Sequence, residues 1–206
     1  MSHIQDYFDK TIVINMARRT DRWEQCLKQF KQFDFKDVIR FEAHDMANLG
    51  NHGCTASHRG VLELICHNKW ARTLVLEDDF LIVNDDIHTM FNSMIIEVPG
   101  DWGMLYLGAH YGDYEIKRIS PHVIKANYLK TTSSYGITLS YARKICPYVG
   151  GSDAIDEIYS DFHKTSGNTY VLQPRLMVQA YGYSDLQRIY ADHGICMLDT
   201  THERSV

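Results

Sequence analysis

The chain predicts an α/β fold with a mostly parallel central sheet, and three observations predict it. Short β-branched, apolar runs alternate with stretches of helical periodicity through the first half. Gly-, Asn- and Pro-bearing breaks separate the two kinds of segment. Later strand signals are shorter and less regular, and early strand–helix alternation followed by irregular strands reads as α/β with a mostly parallel sheet.

Thr11 to Asn15 (TIVIN) reads as a buried strand, and Thr20 is placed to cap a helix reaching about Phe33, with Trp23, Leu27 and Phe30 on one face. Val38 to Phe41 is a second strand and Asn48 to Gly53 a loop. A helix follows from about Thr55 to Asn68, with Val61, Leu62, Ile65 and Cys66 inward. Thr73 to Leu76 is a strand that runs into Glu77-Asp78-Asp79. Asp85 to Ile96 reads as a polar helix, and Pro99-Gly100 as a turn. Met104 to Leu107 is a strand, Gly108 to Tyr114 a loop, and Val123 to Ala126 an edge strand. Gly136 to Leu139 feeds a helix capped by Ser140. Gly150-Gly151-Ser152 opens a short helix, with Ser152 as cap. Tyr170 to Leu172 and Met177 to Gln179 are late strands. The expected organisation is one domain over 1–195 and a polar tail over 196–206.

At 206 residues with 45% hydrophobic and 12% aromatic content, the chain can bury a sizeable core. A formal net charge of −5 gives no broad basic face, which argues against nucleic acid as a partner. The cysteines number five, and none are spaced C-x-x-C, so neither a disulfide framework nor a cysteine zinc site is expected. No secretory leader and no membrane-spanning apolar run is visible. The expected location is the cytoplasm, for a whole protein or for a catalytic part of a larger multidomain one.

The most informative stretch is Thr73-Leu74-Val75-Leu76-Glu77-Asp78-Asp79. A buried strand delivers adjacent carboxylates to a sheet edge, where they repel one another and call for a cation. Hard oxygen ligands suit Mg²⁺ or Mn²⁺. The alternative is a solvated turn after a strand. Ligands in open α/β sheets lie at the carboxyl ends of strands, and Asn15, just before Arg18-Arg19, marks a second such end. Two strand ends therefore point to one crevice.

Several segments, in order, resemble glycosyltransferase family 25, the lipooligosaccharide and procollagen galactosyltransferase-like group. Val13-Ile14-Asn15-Met16-Ala17-Arg18-Arg19-Thr20-Asp21-Arg22-Trp23 resembles its opening motif. Gly53-Cys54-Thr55-Ala56-Ser57-His58 resembles G-C-x-x-S-H, and Leu76-Glu77-Asp78-Asp79 resembles L-E-D-D. Leu105-Tyr106-Leu107-Gly108, Ser134 to Ser140 and Ile155-Asp156 resemble later steps. Pro174 to Gln179 followed by Ser184-Asp185 resembles the closing P-x-x-x-x-Q…S-D. Met16 stands where the family has Leu, and Tyr135-Gly136 is reordered.

The resemblance implies a GT-A fold with a Rossmann-like nucleotide-binding half. It implies a UDP-sugar donor, galactose or glucose as the sugar, Mn²⁺ or Mg²⁺, and an inverting transfer to a glycan, lipid-oligosaccharide or other hydroxylated acceptor. Asp79, Glu77 and Asp78 are the expected metal ligands, with His193 as a further one. On an extended segment Glu77 and Asp79 share a side and Asp78 faces away, unless the strand has already turned. Asn15, Arg19, Arg22, Ser57, His58, Glu77, Asp78, Gln179 and Asp185 are the expected donor contacts. Ser57 and His58 are read as opening a helix whose N–H groups favour an anion. Asp156 is the expected base, with Glu157 and Asp153 as alternatives in the first turn of one helix. Tyr106, His110, Tyr111 and Tyr114 are candidates for stacking on an acceptor sugar. A nucleotidyltransferase and a non-catalytic sugar-binding domain are the rival readings. The first is disfavoured because Met16-Ala17-Arg18-Arg19 lacks the glycine of a phosphate loop.

Overall fold

A computed structural model describes residues 3–46, 51–110, 116–185 and 189–198. Its centre is an eight-stranded sheet formed by β1 (Lys10–Asn15), β2 (Val38–Glu42), β3 (Arg72–Glu77), β5 (Met104–His110), β6 (Ile116–Ser120), β7 (Val123–Ala126), β8 (Lys130–Thr138) and β9 (Thr169–Leu172). Their order is β2-β1-β3-β8-β5-β9-β7-β6. Strands β2, β1, β3, β5, β9 and β6 run one way, and β8 and β7 run against them. The sheet is thus mostly parallel by strand direction, as expected. The reversed β8 sits directly beside β3, so the parallel neighbours are β1 with β2, β1 with β3, and β5 with β9. Two small ribbons complete the strands: β4 (Phe80–Ile82) with β10 (Met177–Gln179), and β11 (Gly182–Ser184) with β12 (Ile189–Ala191).

Both faces of the sheet are covered, which is why its strands read as continuous apolar runs. Val13, Leu74, Leu76, Leu105 and Leu107 pack against α1 (Thr20–Gln32) and α3 (Ile87–Ile95) through Cys26, Phe30, Ile87, Phe91 and Met94. Ile12, Ile14, Val75, Met104 and Tyr106 point to the other face. There they meet Val61, Leu62 and Ile65 of α2 (His52–Asn68), Ile145 of α4 (Leu139–Ile145), and Ile155 and Tyr159 of α5 (Ile155–Ser166). Neighbouring residues of one strand feed opposite cores, the period-two geometry of a strand.

Several local expectations are corrected. Leu27 is 47% exposed, and Cys26 takes the buried position beside Phe30. Thr20 begins α1 rather than capping it, because the N-cap is Arg19 and no side chain caps that end. Helix α2 starts at His52, so Gly53 lies inside it rather than in a loop. The helix in the Asp85–Ile96 stretch is shorter and buries Ile87, Phe91 and Met94. Gly108 to His110 continue β5, and Tyr111 and Tyr114 lie outside the described residues. β7 is flanked by β9 and β6, so β6, not β7, is the edge strand on that side of the sheet. Thr138, not Ser140, caps α4 by accepting from the Tyr141 N–H. The N-cap of α5 is Ala154, with no side-chain bond, so Ser152 does not cap it and Asp153 lies outside its first turn. α6 (His193–Leu198) carries helical structure past residue 195, and residues 199–206 lie outside the described ones.

Candidate active site

Strands β1 and β3 pair in register, with Ile14 opposite Glu77, so Asn15 and the acid cluster emerge side by side. β3 ends at Glu77, and Asp78 and Asp79 form a turn into β4. Strand alternation therefore stops there. β10 pairs with β4, Gln179 opposite Phe80, and this returns the late chain segment to the cluster. Gln179 Nε2 donates to Asp79 Oδ2 at 3.0 Å.

Each carboxylate of the cluster has its own surroundings. Asp78 is buried and both its oxygens are committed: Asn15 Nδ2 donates to Oδ2 at 2.7 Å, and Arg22 Nη1 to Oδ1 at 2.6 Å. Burial pushes its carboxyl up, with the Arg22 charge opposing. Asp79 accepts from Gln179 and, at 3.3 Å, from Arg22, while its Oδ1 is buried with no hydrogen-bond partner. Burial first, then the charge of Glu77, push the Asp79 carboxyl up to about 7. Glu77 is half-buried, and desolvation would raise its carboxyl, but the His58 imidazole and the Thr132 hydroxyl beside it outweigh that and hold it below the usual range. The cluster is a wall of unlike acids rather than a solvated turn.

Around it opens a cleft of about 420 Å³, bordered by Arg18, Arg22, His44, Cys54, His58, Glu77, Asp79, Gln179 and Asp185 among others. A second chamber of about 410 Å³ is bordered by Lys130, Thr131, Thr132, Asp156, His193 and His110. Cys54, Glu77, Gln179 and Ser184 border both chambers. The acid-bearing strand end is therefore the partition between them.

The structure brings most of the expected residues to these chambers, in altered roles. Asn15 is 1% exposed, and its Oδ1 accepts from Arg40 Nε at 2.9 Å, so it braces the wall from behind. Arg22 is held between Asp78, Asp79 and the Tyr183 carbonyl rather than lying on the surface. Arg18 borders the cleft, while Arg19 is bound to Asp21 and Asp185. Asp185 also pairs with Arg18 at 2.9 Å, and so ties the loop after β1 to β11. Ser57 and His58 lie in the second turn of α2, not at its start. Their N–H groups are within the helix, so the reading of a helix-end anion cradle fails. Ser57 Oγ instead donates to the Gly53 carbonyl and accepts from the His44 N–H.

Asp156 faces the second chamber. Glu157 is bound by Lys130 and by Tyr128 Oη, and those hydrogen bonds hold its carboxyl below the usual range despite slight burial. Asp153 is exposed and contributes its backbone carbonyl to Thr55 Oγ1 at 2.8 Å. Tyr106 is buried and bonded to His163 at 3.1 Å, which removes it from any sugar surface. His193 borders the second chamber beside Glu77 and Gln179. Sequence reasoning missed Cys54, His44 and Lys130. Cys54 carried a readable signal, because it lies one helical turn before His58.

No protein-family profile matches the chain. Over 170 residues it is 25% identical to a Bos taurus protein described as probable inactive glycosyltransferase 25 family member 3, covering 67% of this chain and 28% of that protein. Over 172 residues it is 28% identical to procollagen lysyl hydroxylase and glycosyltransferase of Acanthamoeba polyphaga mimivirus, covering 66% of this chain and 19% of that one. The chain thus spans less than a third of the length of these relatives. Among solved structures, a glycosyltransferase involved in glycosylation of the major capsid of PBCV-1 superposes with TM-score 0.53 at 10% identity, covering 87% of this chain and 95% of that one. A197 from STIV superposes with TM-score 0.51 at 12% identity, covering 89% and 95%. At such identities the likeness is one of fold. No helix among the described residues is long and apolar enough to cross a membrane. Sequence relatives and architecture together bear out the resemblance to glycosyltransferase family 25 and to its GT-A fold.

Proposed function

We propose that this chain is a metal-dependent glycosyltransferase that moves galactose or glucose from a UDP-sugar to a hydroxyl of a glycan or other acceptor, with inversion. The observation that carries the reading is the partition: one strand end separates an Arg-bearing chamber from a chamber containing Asp156. A donor diphosphate in the first chamber would meet Arg18, which can fork to phosphate oxygens. The acceptor would enter the second, beside Lys130 and Thr131.

The residues fit a divalent cation. Asp79 Oδ1 is a buried oxygen without a partner, and Glu77 adjoins it. Asp79 and Glu77 would hold the ion, whereas both oxygens of Asp78 are already used. When bound, the cation supplies charge neutralisation to the departing diphosphate. In the transfer the acceptor oxygen bonds to the anomeric carbon, the bond to the diphosphate breaks, and the acceptor proton passes to the Asp156 carboxylate. Glu157 serves this less well, since Lys130 and Tyr128 occupy it.

Thermal unfolding tests the reading. UDP with Mn²⁺ raises Tm by several degrees, CTP does not, and Asp79→Asn removes the response. An equal response to CTP supports nucleotidyl transfer. UDP binding without turnover of any UDP-hexose, by hydrolysis or transfer, supports a sugar-nucleotide-binding domain without catalysis, the state suggested by the name of the bovine relative.

A further inference from the structure

We propose that Cys54, His58 and Glu77 form a binding site for a borderline transition-metal ion, Zn²⁺ in the first instance, which shares Glu77 with the hard-ion position at Asp79 but differs from it in ligand chemistry. One ligand atom from each of the three lies within 4.8 Å of the others. Cys54 and His58 are four apart on α2, so their side chains share a face. Glu77, the last residue of β3, comes to that face from the sheet. His58 Nε2 and Glu77 Oε1 are 3.4 Å apart. Two ligands at ~2.0 Å from one tetrahedral ion stand about 3.3 Å apart, so this edge of the site is already at length.

The imidazole is held for the purpose. His58 is 0% exposed, and its Nε2 is buried without a hydrogen-bond partner. Its other nitrogen, Nδ1, bonds Tyr135 Oη at 2.8 Å, and Tyr135 bonds Tyr159 Oη at 3.2 Å. The Tyr135 ring stacks on the imidazole at 5.8 Å, and the Tyr159 ring meets it edge-on at 6.0 Å. With Nδ1 bonded to Tyr135, Nε2 is the ring nitrogen left facing Cys54 and Glu77. Metal-bound histidines are typically fixed through their second nitrogen in this way. A buried ring nitrogen without a hydrogen bond is costly, and an ion held between Cys54 and Glu77 would bind it directly. A thiolate, an imidazole and one carboxylate select Zn²⁺ or Co²⁺ over Mg²⁺ or Mn²⁺. Both chambers touch Cys54 and Glu77, so a fourth position stays open to water or to a bound oxygen.

Co²⁺ titration of the metal-free chain, read by absorption, tests this without reference to turnover. One equivalent of Co²⁺ gives tetrahedral visible bands and a thiolate-to-cobalt charge-transfer band, which Zn²⁺ abolishes. Cys54→Ser removes the charge-transfer band, and Tyr135→Phe weakens Co²⁺ affinity by about 10- to 100-fold. In the unmutated chain Zn²⁺ protects Cys54 from alkylation, read by peptide mass against Cys26, Cys66, Cys146 and Cys196, so the result does not hinge on a variant folding. A charge-transfer band that survives Cys54→Ser, a spectrum with octahedral bands alone, or unprotected Cys54 overturns the site. Mn²⁺ binding measured by electron paramagnetic resonance belongs to the Asp79 position: its loss in Asp79→Asn and survival in Cys54→Ser separate the two proposals.

Discussion

Asn15 Nδ2 donates to Asp78 Oδ2 at 2.7 Å, a bond between the ends of two parallel strands that lie 63 residues apart in the chain. It commits one oxygen of Asp78, and Arg22 commits the other. All three strand-end acids border the cleft, but Asp78 is used up in bracing its wall while Asp79 keeps an oxygen without a partner.

Arg22 neutralises that wall. Its side chain is 13% exposed and bonds Asp78 and Asp79, whose charges, once burial is offset, hold the guanidinium pKa above its ordinary value. Removing one partner of a buried pair leaves the other uncompensated, a loss of about 3–5 kcal/mol. Arg22→Met is expected to destabilise the metal-free protein by that order in urea unfolding. A divalent cation should restore part of the loss, and a loss under 1 kcal/mol would make the pair a surface contact.

Asp79 sets a pH dependence. Its folded-state pKa of about 7 lies above that of the unfolded chain, ~3.9. The folded state then holds a proton that the unfolded chain has released, so stability is full below about pH 4 and falls as pH rises toward 7. Asp79→Asn should flatten this slope, and its stabilisation relative to the parent should grow across the window by on the order of 2–4 kcal/mol. Urea midpoints at several pH values read it directly. A constant difference between the two proteins would mean that Asp79 ionises normally.

Asp156 and Glu157 are neighbours in different surroundings: Asp156 borders the second chamber, and Glu157 is bound by Lys130 and Tyr128. Asp156→Asn should lower transfer to an acceptor by about 10²–10⁴-fold while UDP binding is kept. Glu157→Gln loses the pairing with Lys130 and Tyr128 and should cost less than 10-fold. Single-turnover transfer and UDP calorimetry on both variants check this, and the reverse ranking would move the base to Glu157.

Gly108 holds the late strand against the sheet. A Cβ there would stand 1.7 Å from the Met177 carbonyl oxygen and 2.9 Å from Met197 Cε. The backbone oxygen cannot yield without displacing β10, which carries Gln179 to Asp79. Gly108→Ala should destabilise by about 3 kcal/mol and weaken UDP–Mn²⁺ binding at the same time. A fully stable variant with normal binding would show that β10 moves freely.

The apolar runs at 11–15, 73–76 and 104–107 declared their strands because both faces of the sheet are covered, and covering both faces leaves an uninterrupted hydrophobic signature. The acids after Leu76 were legible for the same reason: a buried strand that ends in charge marks a sheet edge. The reversal of β8 beside β3 was not legible, since strand order depends on pairings between distant residues. Helix starts at His52 and Ile155 were misplaced because neither end is capped by a side chain, so no local signal marks it. By itself, the chain determined which segments are buried and where charge meets the core, because burial imposes a period on neighbouring residues. Only the tertiary structure decided which acid has both oxygens committed, which one keeps an oxygen without a partner, and that Cys54, His58 and Glu77 converge, because those outcomes depend on contacts between a helix and a strand that no local period encodes.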